Sequence, residues 1–351
     1  GSSTGGGVKW TTQDWGRKFL PNGGCAYIDL NHLEVCLPEV TSAFDHVAYT
    51  HALYRLARQA ADAANSHLPQ GQQLHVLANN SDGKGHSYGS HLNVLLHRHA
   101  WEDIFWRRLV YQGFLAAYQV SSQVFTGQGK VGAENGAPAV NYQLSQRADF
   151  MEMICAQQTT YRRPIINSRD ESLCGETRPG TPDAVTADMA RLHVIFYDQN
   201  LCQVAGLLKI GVLQIVLAMM EARWVDPDLL IDDPVEAAIL WSHDPSLQLR
   251  LPLSTGSEVT AVELQLKFCE NARRFVESGR CEGIVSDADF ILELWSDTLE
   301  KLHRGDLASL AGRLDWVLKL AMLQQAMQSR GIDDWSAPMV RHLDQAYASL
   351  D

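Results

Sequence analysis

The stretch NGGCAYIDLNHLEVCLPEV, residues 22–40, decides how the chain begins to fold. Phe19-Leu-Pro-Asn-Gly-Gly24 reads as a turn, because Asn-Gly and Gly-Gly supply the positive φ that a tight reversal needs. Cys25 to Leu30 follows as a strand. Side chains alternate along a strand, so Tyr27 and Asp29 project to one face. Glu34 lies close enough to join them if the chain curls back. A strand-borne Asp beside such a Glu can hold Mg²⁺ through one carboxylate and leave the other to act on a substrate. From spacing alone, a surface strand end is the better fit.

Outward from this stretch, Gly1 to Trp15 has linker composition, and residues 16–351 are expected to form one catalytic domain. Helical periodicity spans Asp45–Ala64, with Asp45 as the expected N-cap and Val47, Leu53, Leu56, Ala57 and Ala60 as its stripe. Strands are expected at Leu74–Ala78, His91–Leu96, Gln143–Ile154 and Leu192–Tyr197, with an amphipathic helix at Trp101–Val120. From Leu201 the pattern turns helical: Leu201–Arg223, Val259–Ser278, Asp287–His303 and Leu314–Arg330.

Composition narrows the classes. Of the 351 residues 46% are hydrophobic and 20% charged, so the chain can bury a core and is not disordered. Its net charge of −12 argues against a dedicated duplex nucleic-acid binder. No uninterrupted apolar run reaches the ~18–20 residues of a membrane span, and Ile210–Met220, broken by Gln214, reads as a buried helix. Seven scattered cysteines without a CxxC suggest neither a disulfide framework nor a zinc ribbon, and fit a reducing cytoplasm.

Few short motifs carry chemistry by themselves. Gly127-Gln-Gly129-Lys-Val-Gly132 matches GxGxxG, but Ala133–Ala139 cannot form the helix a dinucleotide loop requires, so a glycine-rich hairpin is the better reading. His97 and His99 lack nearby ligands at metal spacing and read as a structural pair. His51, His67 and His303 read as surface or helix residues. His193, beside Arg191 and apolar strand residues, suits a metal or phosphate contact or a buried structural role. Arg147, Arg162, Arg163 and Arg169 suit phosphate oxygens or solvated strand edges.

Several segments in order resemble one family. They include residues 22–40, NNSDGKGHSYGSHLN (79–93), FTGQGKVG (125–132), YQLSQRADFMEM (142–153), RRPIINSRDE (162–171), RLHVIFYDQN (191–200), LLKIG (207–211), LDWVLKL (314–320) and WSAP (335–338). The chain is similar to the Pup ligases and Pup deamidase/depupylases, within the glutamine-synthetase-like carboxylate–amine ligase superfamily. DGKG (82–85), QLSQRADF (143–150), SHDPSLQLRL (242–251) and the glycine-rich opening look more like the deamidases.

The resemblance implies an α+β (α/β) fold, with a curved, mostly antiparallel sheet cradling nucleotide and helices on its other face. It implies Asp29 as the catalytic aspartate, Tyr27, Glu34 and His193 around Mg²⁺, and Arg169, Arg191 and Arg147 toward the phosphates of ATP or ADP. The expected partners are a Pup-like modifier and its modified proteins, with neither nucleic acid nor membrane. The expected reaction is hydrolysis of the modifier's C-terminal Gln amide or of its isopeptide bond to lysine. A ligase joining its C-terminal Glu to lysines, and an inactive binding homologue, are the alternatives.

Departures from the family pattern are specific. Cys25 stands where the family usually has Arg, His32-Leu33-Glu34 replaces HPE, and His91-Leu92-Asn93 replaces HEN. SLCGETRPG follows RDE in place of the family's PHAD pattern. The family's GTExEYG strand and small C-terminal domain have no counterpart here, so the chain is expected to be the middle of a larger catalytic domain.

Overall fold

The computed structural model describes residues 18–29, 32–169 and 188–351. It divides into two compact units, residues 1–74 and 75–351.

In the first unit β1 (Lys18–Phe19), β2 (Cys25–Asp29) and β3 (His32–Cys36) form an antiparallel sheet in that order. The β1–β2 turn works as the sequence predicts. Gly23 sits at φ +88°, and Asn22 Oδ1 accepts the Gly24 N–H at 3.0 Å. Gly24 is needed for a different reason: a Cβ there would lie 2.7 Å from the Cys36 carbonyl oxygen.

α1 (Ala43–Asn65) follows. Its N-cap is Ser42, not Asp45. The Ser42 hydroxyl accepts the Asp45 N–H at 3.0 Å and donates to the Asp45 carboxylate at 2.9 Å. Asp45 thus stands in the first turn, where a carboxylate favours the helix dipole. The expected stripe is only half-buried, and Leu56 and Ala60 are exposed.

The second unit is built on a four-stranded sheet of β4 (Leu92–His97), β7 (Met151–Ala156), β8 (Arg163–Asn167) and β9 (Met189–Val194), in the order β4-β9-β8-β7. β4 and β9 pair antiparallel from Leu92↔Val194 to His97↔Met189, β9 meets β8 antiparallel at Asn167↔His193, and β8 runs parallel to β7. Alternation gives the β4–β9 ladder two unlike faces. Leu92, Leu96, Ala190, Leu192 and Val194 are buried, while Asn93 and Leu95 are exposed and Arg191 half-buried on the other face.

The helical half follows the predicted order, with ends shifted by one or two residues. α2 (Arg98–Glu102), α3 (Leu109–Ser121), α4 (Gln123–Thr126), α5 (Gln203–Glu221) and α6 (Pro234–Ser242) are followed by α7 (Ala261–Glu277), α8 (Ala288–His303), α9 (Asp315–Arg330) and α10 (Pro338–Ala346). Of these, α2, α3, α5 and α6 pack on strands of the sheet. α5 is long and apolar enough to cross a membrane by length and composition, but 72% of its apolar window is buried in the protein. Gly211 lets α8 approach it, since a Cβ there would lie 2.7 Å from Ile291. A capping box, with Thr260 and Glu263 bonding each other's backbone N–H, starts α7.

Four expected elements differ. The strand expected at Leu192–Tyr197 is β9, three residues earlier. The single helix over Trp101–Val120 is broken: α2 passes into a π-helical turn (Asp103–Arg107), and Arg108 is extended before α3 begins. The buried Asp103 carboxylate draws Arg108 and Arg223 to 3.4 and 3.5 Å, which favours the kink over a straight helix. Leu74–Ala78 is no strand; Val76 and Ala78 bond the backbone of Leu350 and Ala348 instead. Gln143–Ile154 is divided by a 3₁₀ turn (Ala148–Phe150) between β6 (Tyr142–Gln143) and β7.

Candidate active site

Three of the residues singled out in the sequence come together on the β2–β3 hairpin. Its register sets Tyr27 opposite Glu34 and Asp29 opposite His32. The Tyr27 hydroxyl donates to Glu34 Oε1. Burial pushes the Tyr27 phenol well above its usual range, and the Glu34 carboxylate and Cys36 add to this. Tyr27 therefore stays protonated and acts as a donor that orients Glu34. Asp29 is exposed at the end of β2, two residues along from Tyr27 and on the same face. The hairpin thus presents one carboxylate held by a phenol and another open to solvent.

The second unit gathers another set on the polar face of its sheet. Arg191 and His193 share a face of β9. Arg191 Nη1 donates to Asn93 Oδ1 at 2.8 Å, so the residue beside Leu92 in the HLN triplet holds this arginine. His193 is buried, with Nδ1 3.3 Å from Asn167 Oδ1. An amide oxygen only accepts, so Nδ1 donates this hydrogen bond. The His91 and His193 rings meet edge to face, with centroids 5.3 Å apart. His91 is exposed; even so, desolvation of its ring, followed by the charges of Arg147, His193 and Arg163, pushes its imidazole down to about 3.

Asn167 is the hub that sequence reasoning missed. Its oxygen also accepts the Arg169 N–H at 3.1 Å, and its amide donates to Ala156 O at 3.2 Å and Gln158 O at 3.1 Å. Its position inside the RRPIINSRDE segment, just before Arg169, was the available signal. Arg169 is half-buried at the end of this strand.

Arg147 has a different setting. Its side chain is fully buried and donates to Ser87 Oγ at 3.1 Å, Ile195 O at 2.7 Å and Tyr88 O. Burial, then the nearby Arg163, lowers its guanidinium to about 10. Gly89 leaves room for it, because a Cβ there would stand 2.8 Å from Arg147. Arg163 also donates to Ser87 O, at 2.7 Å. Two arginines therefore hold the segment that leads into His91 and β4.

A buried acid anchors the loop above that segment. Asp149 accepts from His243 Nε2 at 2.7 Å, from Gln143 Nε2 and the Glu134 N–H at 2.8 Å each, and from Lys130 Nζ at 3.1 Å. Burial alone would raise its carboxyl. The His243 hydrogen bond, the Lys130 charge and the other two donors outweigh burial and pull it down to about 2. Lys130 also bonds Glu134 at 3.1 Å, and Glu134 accepts the Gly85 N–H at 2.9 Å and the Ser81 hydroxyl. The DGKG loop is thereby fixed to the 127–143 hairpin.

That hairpin settles the GxGxxG question. β5 (Lys130–Val131) pairs with β6, and a Cβ at Gly127 would lie 2.2 Å from Leu144 O. Gly127 and Gly129 serve close packing, and Gly132, in open space, supplies a φ of +77°, as the hairpin reading expects. His97 and His99 stack at 5.6 Å, and His99 Nε2 lies 3.2 Å from Glu221 O. Among the described residues no three His, Cys, Asp or Glu side chains form a ready metal cluster.

A family model described as Pup-ligase protein matches residues 6–351. A depupylase of Acidothermus cellulolyticus is 38% identical over 330 residues, covering 94% of this chain and 62% of its own length. The chain thus spans less than two thirds of that relative. A Pup–protein ligase of Acidimicrobium ferrooxidans is 35% identical over 343 residues, covering 96% of this chain and 70% of its own. The solved structure of the Pup ligase PafA in complex with ADP superposes with a TM-score of 0.79 at 26% identity, covering 98% of this chain and 71% of that one. The fold is therefore glutamine-synthetase-like, with a mostly antiparallel sheet and helices packed on one face. The chain belongs to the Pup-ligase protein family.

Proposed function

We propose that the protein is a deamidase or depupylase: it hydrolyses the C-terminal Gln amide of a Pup-like modifier, or the isopeptide bond joining that modifier to a lysine, with ATP or ADP and Mg²⁺ bound. The observation that carries this is the β2–β3 hairpin, where Asp29 is open to solvent on the face on which Tyr27 holds Glu34. The 38% identity to a depupylase supports hydrolysis over ligation.

The donor set suits Mg²⁺, a hard cation that takes oxygen ligands. Asp29 and Glu34 are carboxylates on one face of the hairpin, and the phenol of Tyr27 fixes one of them. On the hairpin Glu34 would hold the ion; within the second unit the imidazole of His193 suits a metal, and Arg169 and Arg191 suit nucleotide phosphate. Bound Mg²⁺ would supply positive charge against the negative charge that develops on the substrate carbonyl. Asp29 attacks the amide carbon, or takes a proton from the water that does so. Arg147, through Ser87, Tyr88 and Ile195, positions the segment entering β4.

The test uses the whole protein with nucleotide, Mg²⁺ and a Gln-ended modifier, followed by mass spectrometry. Conversion of the amide to the acid without nucleotide consumption supports the proposal. The 35% identity to a Pup–protein ligase motivates the second reading. Stoichiometric ADP release with a Glu-ended modifier and a lysine acceptor would establish ligation instead, with Asp29 deprotonating the lysine.

A further inference from the structure

We propose that Cys25 and Cys36 form a dithiol modification site, which a peroxide closes to a disulfide on the same hairpin face as Asp29. Four observations place it there. The register sets Cys25 directly opposite Cys36. Directly opposed residues of an antiparallel pair have Cα atoms ~4.5–5.5 Å apart, within the ~4.4–6.8 Å that a disulfide spans. The strands approach closely at this end, since a Cβ on Gly24 would lie 2.7 Å from the Cys36 carbonyl oxygen. The pair also shares the Tyr27–Glu34 face by the two-residue period, and the Cys36 side chain hydrogen-bonds Tyr27.

Both thiols are unbridged. Among the described residues no other two cysteines oppose each other across a strand pair. Cys36 is partly exposed whereas Cys25 is buried, so a small oxidant reaches Cys36 first. The Cys36 sulfur attacks one peroxide oxygen and the O–O bond breaks. The departing hydroxide takes the thiol proton and leaves as water, giving a sulfenic acid. The Cys25 sulfur then attacks the Cys36 sulfur, the S–O bond breaks, and that hydroxide leaves as a second water with the Cys25 proton. Two electrons pass from the two thiols to the peroxide. A small thiol reverses the bond by exchange.

Closure takes the Cys36 thiol away from Tyr27 and pins β2 to β3 next to the Tyr27–Glu34 pair. It should therefore slow turnover. That consequence rests on the proposed function; the cross-link itself does not.

The experiment treats the protein with hydrogen peroxide, alkylates the remaining thiols after unfolding, digests, and maps cross-links by mass spectrometry. The expected result is a Cys25–Cys36 peptide lacking two hydrogens, removed by dithiothreitol and absent from Cys25→Ser and Cys36→Ser. Oxidation of Cys36 to a sulfinic acid with Cys25 still alkylated, or a link to any other cysteine, would overturn the proposal. The wild-type readout needs no variant to fold. In a parallel assay, oxidised wild type should lose turnover several-fold and regain it on reduction, while Cys25→Ser keeps its rate. A fully cross-linked protein with undiminished turnover would refute the regulatory effect. An inactive reduced protein with an intact cross-link result would count against the proposed reaction alone.

Discussion

Tyr27 shows how much one residue can settle. Its protonated hydroxyl donates to Glu34, so it positions a carboxylate and needs no ionisation of its own. Tyr27→Phe removes that donor and lets the carboxylate rotate. Losing such an outer partner typically costs a metal site ~10–100-fold in affinity. Titrating Mg²⁺ into protein with a fluorescent nucleotide should therefore show weaker Mg²⁺-dependent binding in Tyr27→Phe, and an unchanged titration would contradict this role. The facing of Tyr27, Asp29 and Glu34 was legible in the sequence, because a strand's period of two leaves little freedom. The burial of Arg147 was not. A lone arginine reads as exposed, and what holds this one inside is the Ser87 hydroxyl with the carbonyls of Tyr88 and Ile195, which lie far from it in sequence.

At the scale of elements, helices from Leu201 onward were legible because apolar residues recur at helical spacing over several turns. Failures came where a distant partner decides. The break at Arg108 follows the buried Asp103 and its pairing with Arg223, and the Leu74–Ala78 segment finds its backbone partners near residue 350. Two substitutions test the element account. Gly24→Ala drives a Cβ against a backbone oxygen and should destabilise the hairpin by ~1–3 kcal/mol, as overpacking does. Hydrogen exchange should show the loss confined to β2 and β3. Thr260→Ala removes the α7 cap and should cost ~1 kcal/mol in urea unfolding.

For the whole molecule, acid is the informative variable. Asp149 sits at about 2 when folded against 3.8 as its ordinary value, so the unfolded chain binds its proton first as pH falls. Its contribution is complete above pH 4 and fades toward pH 2. His91 acts in the same direction over a higher window. It stays neutral down to about 3 when folded but takes a proton near 6.5 when unfolded, so stability declines below that pH. Melting temperature should fall on acidification, and His91→Gln should flatten the upper part of that fall. Asp149→Ala takes the acceptor from His243 and Gln143 and leaves Lys130 with Glu134 as its one carboxylate, and should cost ~3–5 kcal/mol at neutral pH. None of this network was legible in the sequence, since His243 and Asp149 are 94 residues apart. What the sequence did carry at this scale was the collinear order of its family segments. The assignment of Asp29 to the reacting bond is tested most directly by comparing wild type with Asp29→Asn on a Gln-ended modifier, with nucleotide affinity measured alongside. The account predicts a loss of turnover of ~10²–10⁴-fold or more with affinity largely kept. Retained turnover in Asp29→Asn would contradict it.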